Sequence, residues 1–253
     1  MKVDWAPLRA ELRHWHTAGL VLPFWWRDDD AVAPTAALER LIDVADAAGV
    51  PAHLAIVPRE AREDMARHVA ETPSLVPVVH GWAHQNHAPA MQKKAEFGLG
   101  RDMTSATRDL QAALKRMRDL FGAALAPMFV PPWNRIDPGL MPVLAKLEFD
   151  AVSTYLPRKR PEAAQGLVQI NTHLDPIFWR GTRGLVASDE LVSRTVALLQ
   201  DRRQGRADNA EPFGYLTHHL VHDADIWEFS KQFLNEICQG PVTLYRHDQK
   251  EQT

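Results

Sequence analysis

The sequence predicts an α/β fold in which one mainly parallel sheet is wrapped by helices. Short apolar runs alternate with longer stretches of helical periodicity along most of the chain, giving roughly six or seven strand–helix units. The chain has 253 residues, long for an average domain but ordinary for a barrel of α/β units. It is 45% hydrophobic and 24% charged, an average globular composition that suffices for a large core. A closed or distorted barrel and an open doubly wound sheet both fit this pattern.

The elements follow in order. Val21–Trp26 reads as a buried strand that stops at Arg27 and three aspartates. Leu38, Leu41, Ile42 and Ala45 mark a helix over Thr35–Ala48, ended by Gly49 and Pro51. Ala52–Val57 is a strand, Ala61–Glu71 a charged helix, and Leu75–Val79 a third strand. The clearest helix, Thr104–Phe121, stops at Gly122. A short strand at Met128–Val130 and a helix near Pro138–Leu147 follow, then strands at Ala151–Ser153 and Leu167–Ile170. Ser188, Asp189 and Glu190 mark the start of a helix that runs to about Arg203. Phe213–Leu216, Ile226–Cys238 and Val242–Leu244 complete the pattern as strand, helix and strand. The expected core spans about residues 21–245 of a single domain covering 1–253.

Several function classes are disfavoured. The formal net charge is −3 and no long basic run exists, so nothing asks for nucleic acid or an anionic membrane as a partner. The single cysteine, Cys238, allows neither an internal disulfide nor a multi-thiolate zinc site and reads as a core residue. Residues 1–20 mix Asp4, Arg9, Glu11 and Arg13 among apolar positions, unlike a signal peptide, and no apolar stretch is long enough to span a membrane. A cytoplasmic location is the expectation. No glycine-rich phosphate loop follows the first strand, which weakens a nucleotide-binding reading.

In a barrel, chemistry gathers where strands end. Arg27-Asp28-Asp29-Asp30-Ala31 follows the first strand, and one helix cap does not require three adjacent carboxylates. His80-Gly81-Trp82-Ala83-His84 follows the third; two histidines four apart can face one metal, although such pairs also arise by chance among 12 histidines. Gly214-Tyr215-Leu216-Thr217-His218-His219 ends a late strand, where a histidine can act as a general acid or simply lie at the surface. Phe129-Val130-Pro131-Pro132-Trp133-Asn134-Arg135 makes a stiff loop that suits a fixed backbone N–H or plain packing. Trp25, Trp82 and Trp133 suit stacking on a sugar ring or burial.

The order and content of these segments resemble the polysaccharide deacetylase family, the carbohydrate-esterase type with a NodB-homology domain. Its motifs T-F-D-D-G, H-[ST]-x-x-H, R-x-P-Y and L-x-H align with residues 27–31, 80–84, 130–133 and 216–218. The resemblance implies a distorted (β/α) barrel of about seven parallel strands. It implies a hydrolase that removes acetyl groups from an N- or O-acetylated sugar with a divalent metal, zinc by preference. It assigns the general base to Asp29, the metal ligands to Asp30, His80 and His84, the oxyanion donor to the Trp133 N–H, and the general acid to His218. An alternative register makes Asp28 the base and Asp29 the ligand, but sets Asp30 where the family has glycine. Val130 stands in place of the arginine that orients the base, leaving Arg27 or Arg135 to substitute. The family's fourth motif has no clear counterpart; residues 171–175 match it poorly. The 89–101 segment, with Lys93, Lys94 and Glu96, is a long insertion expected to shape the substrate site. Competing readings are an amidohydrolase for a small non-sugar amide and a non-catalytic sugar-binding barrel.

Overall fold

Leu22–Ala31 forms the strand β1, and the rest of the sheet is laid out on either side of it. The computed structural model describes residues 2–247. In chain order the other strands are β2 (Ala52–Ile56), β3 (Leu75–His80), β4 (Met128–Val130), β5 (Ala151–Val152), β6 (Glu162–Ala164), β7 (Leu167–Gln169), β8 (Phe213–Thr217) and β9 (Val242–Leu244). The helices are α1 (Ala6–Thr17), α2 (Ala36–Ala48), α3 (Glu63–Ala70), α4 (Met103–Phe121), α5 (Met141–Lys146), α6 (Ser188–Arg203) and α7 (Ala224–Cys238). The sheet order is β6-β7-β5-β4-β3-β2-β1-β8, with β9 also on β1. Every strand pairing is parallel except that of β6 with β7.

The strand ladder does not close, but one segment links its two edges. Ile170 and Thr172 donate their N–H groups to Val152 O and Thr154 O. On the other side, His173 N–H reaches Gly214 O, and Leu216 N–H reaches Leu174 O. The result is a distorted barrel whose seam is this irregular stretch. A buried charge cluster anchors the seam: Glu211 accepts from the Asn171 N–H at 3.1 Å and lies 3.2 Å from His173 Nε2, with the Arg202 guanidinium beside both.

β1 sorts its side chains by alternation. Leu22, Phe24 and Trp26 join the large core between sheet and helices, whereas Trp25 joins the barrel interior with Ala55, Val76, Val78, Met128, Val130 and Ile170. Trp25 is therefore a fully buried core residue, with its indole N–H on Asn171 O, and is not a sugar platform. The core also begins earlier than residue 21. Trp5, Leu8, Leu12 and Trp15 are buried where α1 packs on α6 and α7. Cys238 is half-buried against the same core. No helix among the described residues is long and apolar enough to cross a membrane.

Candidate active site

Strand β1 was expected to end at Trp26, but it continues through Ala31. The polar residues stay in the ladder because parallel partners flank them: Arg27 and Asp28 pair with His53 and Leu54 of β2 on one side, and with Leu216 and Thr217 of β8 on the other. Alternation then gives the successive aspartates different surroundings. Asp29 shares the interior face with Arg27, two residues earlier. Arg27 Nε and Nη2 donate to Asp29 Oδ1 and Oδ2 at 2.8 and 2.9 Å, a bidentate pair with both groups buried. The guanidinium is held in turn by Ser153 Oγ at 2.6 Å and Asn134 Oδ1 at 2.7 Å. Of the two arginines considered as partners for this aspartate, Arg27 is the one in contact with it. Arg135 does not; it donates to the Lys94 carbonyl.

Strict alternation would send Asp30 away from Asp29. Instead the register slips between Asp28 and Ala31, and Asp30 takes φ 79°, a left-handed conformation that Asp tolerates better than most residues. The carboxylate swings to the end of β3, where Asp30 Oδ1 lies 3.0 Å from His80 Nε2 and 3.2 Å from His84 Nε2. Ligand atoms of Asp30, His80 and His84 all fall within 4.8 Å of one another. This donor set fits a divalent ion. Ligands about 2.0–2.1 Å from a tetrahedral zinc are about 3.3 Å apart, close to the two distances observed. His80 Nδ1 donates to Val130 O at 3.1 Å, which fixes the ring and leaves Nε2 facing Asp30. Burial raises the Asp30 carboxyl pKa, but the hydrogen bond and charge of His80 outweigh it and hold the group well below the usual carboxylate range. Burial lowers the His80 pKa, yet the charges of Asp29 and Asp30 prevail and raise it. The rise at His80 reflects the negative charge of the two aspartates, which favours a cation beside them.

The loop between the two histidines is braced from below. Gly81 has φ 58°, and a Cβ there would lie 2.2 Å from Glu96 Oε2 and 2.6 Å from the Pro132 ring. Only glycine lets the backbone pass this close. Glu96, fully buried, accepts from the Ala83 N–H at 2.8 Å and the Trp82 N–H at 3.1 Å. The acidic residue of the 89–101 insertion therefore secures the histidine loop, while Lys93 and Lys94 are exposed. Trp133 has φ 57° and its ring packs on His84 with centroids 4.3 Å apart. Among the described residues, Asp30, His84, Trp133 and Asn134 are four of the seven non-glycine positions with positive φ, and such strain concentrates where function fixes the backbone.

The two neighbouring histidines after β8 separate as alternation predicts. His218 is half-buried beside Trp179, ring centroids 4.8 Å apart, whereas His219 is buried on the opposite side against Asp28. Asp28 is thus engaged with His219, whereas Asp30 is the aspartate that meets His80 and His84. Two residues near His218 had no assigned role: Asp175, at the end of the poorly matching 171–175 segment, and Trp179. Asp175 accepts from the Ile177 N–H and the Trp179 indole N–H at 2.9 and 2.7 Å. Burial raises the Asp175 carboxyl pKa, while the charge of His218 opposes the rise. Trp179 is 43% exposed although it touches the site. The available signal was Asp175 placed directly before the apolar run Pro176, Ile177, Phe178 and Trp179 in a loop.

No protein-family profile and no curated protein matches the chain. Solved structures do. A candidate polysaccharide deacetylase from Mycobacterium smegmatis is 17% identical with TM-score 0.61, over 83% of this chain and 73% of that one. The T48 deacetylase, solved with substrate, is 14% identical with TM-score 0.54 over 91% of each chain. A family 4 carbohydrate esterase from Streptomyces lividans, in complex with acetate, is 13% identical with TM-score 0.52, over 88% of this chain and 92% of that one. At these identities the likeness establishes the fold alone, the mostly parallel α/β architecture that these structures share.

Proposed function

From this shared fold and the residues at the barrel mouth, we propose that the protein is a metal-dependent hydrolase that removes an acetyl group from an N- or O-acetylated sugar. The observation that carries the reading is the meeting of Asp30, His80 and His84 at one point, with Asp29 next to it and held by Arg27. Asp30, His80 and His84 would hold a divalent ion, zinc in this reading, which supplies Lewis acidity toward the acyl carbonyl and an acidified water. Asp29 accepts the proton of the attacking water, and the bidentate contact from Arg27 fixes the carboxylate's aim. The Trp133 N–H offers a hydrogen bond to the oxyanion that forms at the former carbonyl. His218 gives a proton to the departing sugar amine or alcohol. Trp179 flanks that departure side, its ring against His218.

The same groups would serve hydrolysis of a small non-sugar amide. Sugar chemistry is preferred because the similar structures are named for carbohydrate esterase or deacetylase activity. The test is zinc analysis together with acetate release from N-acetylated chito-oligosaccharides and acetylated xylan. The expected result is about one zinc per chain, lost in His80→Ala and His84→Ala, and acetate release that a chelator abolishes. Full metal content in both variants would place the metal elsewhere. Zinc binding with hydrolysis of cyclic amides only would transfer the reading to a non-sugar amidohydrolase.

A further inference from the structure

Asp28 stands outside the chemistry just described, yet it is fully buried and its carboxylate is fully engaged. Oδ2 accepts from the Thr217 hydroxyl at 2.6 Å and from the His219 backbone N–H at 3.0 Å. Oδ1 faces the His219 ring N–H, Nδ1, at 2.5 Å. The Thr217 hydroxyl is oriented as a donor because its oxygen already accepts from the Trp26 indole N–H at 2.7 Å. One carboxylate therefore grips the residues immediately before and after His218. The His218 N–H itself points to His222 Nε2 at 3.4 Å, and the His222 ring abuts Trp227. In the main chain, Asp28 lies directly opposite Thr217 in the β1–β8 ladder.

We propose that Asp28 is a positioning residue for the general acid: with Thr217 and His219 it fixes the backbone that presents His218 to the leaving group. The inference rests on the deacetylase reading of the site. It gives the three consecutive aspartates separate tasks on one strand. Asp28 sets the acid, Asp29 is the base and Asp30 binds the metal, so β1 fixes the relative positions of all three. A simple supporting ion pair would require only the Asp28–His219 contact. It would not explain why both flanking residues of His218 converge on one carboxylate, one through its hydroxyl and the other through its peptide N–H.

General-acid help matters in proportion to how poor the leaving group is, and this separates positioning from plain stability. An aryl oxide leaves without protonation, whereas a sugar alkoxide or amine does not. The experiment measures kcat and KM of zinc-loaded protein on 4-nitrophenyl acetate and on an N-acetylated chito-oligosaccharide. The variants are Asp28→Asn, Thr217→Val, Thr217→Ser and His218→Ala, with each of the first two also combined with His218→Ala. Thr217→Val keeps the strand and the packing, so it carries the test if Asp28→Asn fails to fold. The expected result is a kcat loss of about 10–10²-fold on the sugar for Asp28→Asn and Thr217→Val, with KM little changed. The aryl ester should lose several-fold less, Thr217→Ser should recover most of the rate, and the losses should largely vanish in the His218→Ala background. Equal losses on both substrates, or full losses on top of His218→Ala, would overturn the positioning role while leaving the deacetylase reading intact. A wild-type protein that hydrolyses neither acetyl compound would overturn both.

Discussion

Glu96→Gln removes a single charge from beneath the histidine loop without changing its shape. In the native protein the carboxylate accepts from the Ala83 and Trp82 N–H groups at 2.8 and 3.1 Å. Hydrogen bonds to a buried charge contribute about 1.5–3 kcal/mol each, and a neutral one about 1 kcal/mol. Glutamine can keep one acceptor, at neutral strength, but turns an NH₂ toward the other donor. The loss is about 2–4 kcal/mol, because one bond weakens and one N–H is left buried without an acceptor. The backbone between His80 and His84 cannot readily relieve this, since Gly81 is already pressed against Glu96 and Pro132. Part of the loss should therefore appear as misplacement of His84, which sits at φ 52° at the end of the braced loop. Loss of an outer partner of a metal ligand costs about 10–100-fold in affinity, equivalent to about 1.4–2.8 kcal/mol. The assay is zinc affinity by competition with a chromophoric chelator, run beside a urea melt of the metal-free protein. Zinc affinity equal to that of the wild type, whatever the melt shows, would refute the idea that Glu96 preorganises the ligands.

Two further outcomes follow from buried charges. Arg27→Met should destabilise the fold by about 3–5 kcal/mol, because the buried Asp29 loses its partner, and Arg27→Lys should recover only part of that loss. Denaturant melts and acetate release measure both effects; a Lys variant equal to wild type would mean that the bidentate geometry is immaterial. His53, at the floor of the barrel, takes the Trp26 carbonyl on one ring nitrogen and the His247 N–H on the other, and packs against Trp25 and Tyr245. Burial first, then the charges of His247 and Arg246, push its pKa down from 6.5 to about 3. The folded state thus resists protonation, so the stability contributed by neutral His53 is complete above pH 6.5 and declines as pH falls toward 3. Between pH 6.5 and 5, before most carboxylates titrate, His53→Gln should flatten the pH dependence of the urea midpoint by an amount equivalent to about 1.4 kcal/mol per pH unit. An unchanged slope would show that His53 takes up no proton on unfolding.

Elements with strong local signals could be read from the sequence alone. Helix α6 spans Ser188–Arg203 as expected, and strand β4 spans Met128–Val130. The first helix went unread, although Leu8, Leu12 and Trp15 recur at helical spacing and form its buried face. β6, a three-residue strand at an antiparallel edge, had too little pattern to detect. β1 looked finished at Trp26 because polar residues normally end a buried strand; paired strands on both sides and the Arg27–Asp29 ion pair keep it going. That same pair was within reach of sequence reasoning, since residues two apart on a strand share a face. The bracing by Glu96 was not, because it depends on where a loop folds back in three dimensions.

Whether Asp30 binds the metal while Asp29 takes the proton is decided by one side-by-side measurement. Zinc stoichiometry and acetate release are measured for Asp29→Asn and Asp30→Asn. Asp29→Asn should keep its zinc, lose turnover and gain nothing from added metal. Asp30→Asn should lose zinc affinity and recover part of its activity as zinc is raised. Zinc lost from Asp29→Asn but retained by Asp30→Asn would contradict this assignment and move both roles one residue toward the N-terminus.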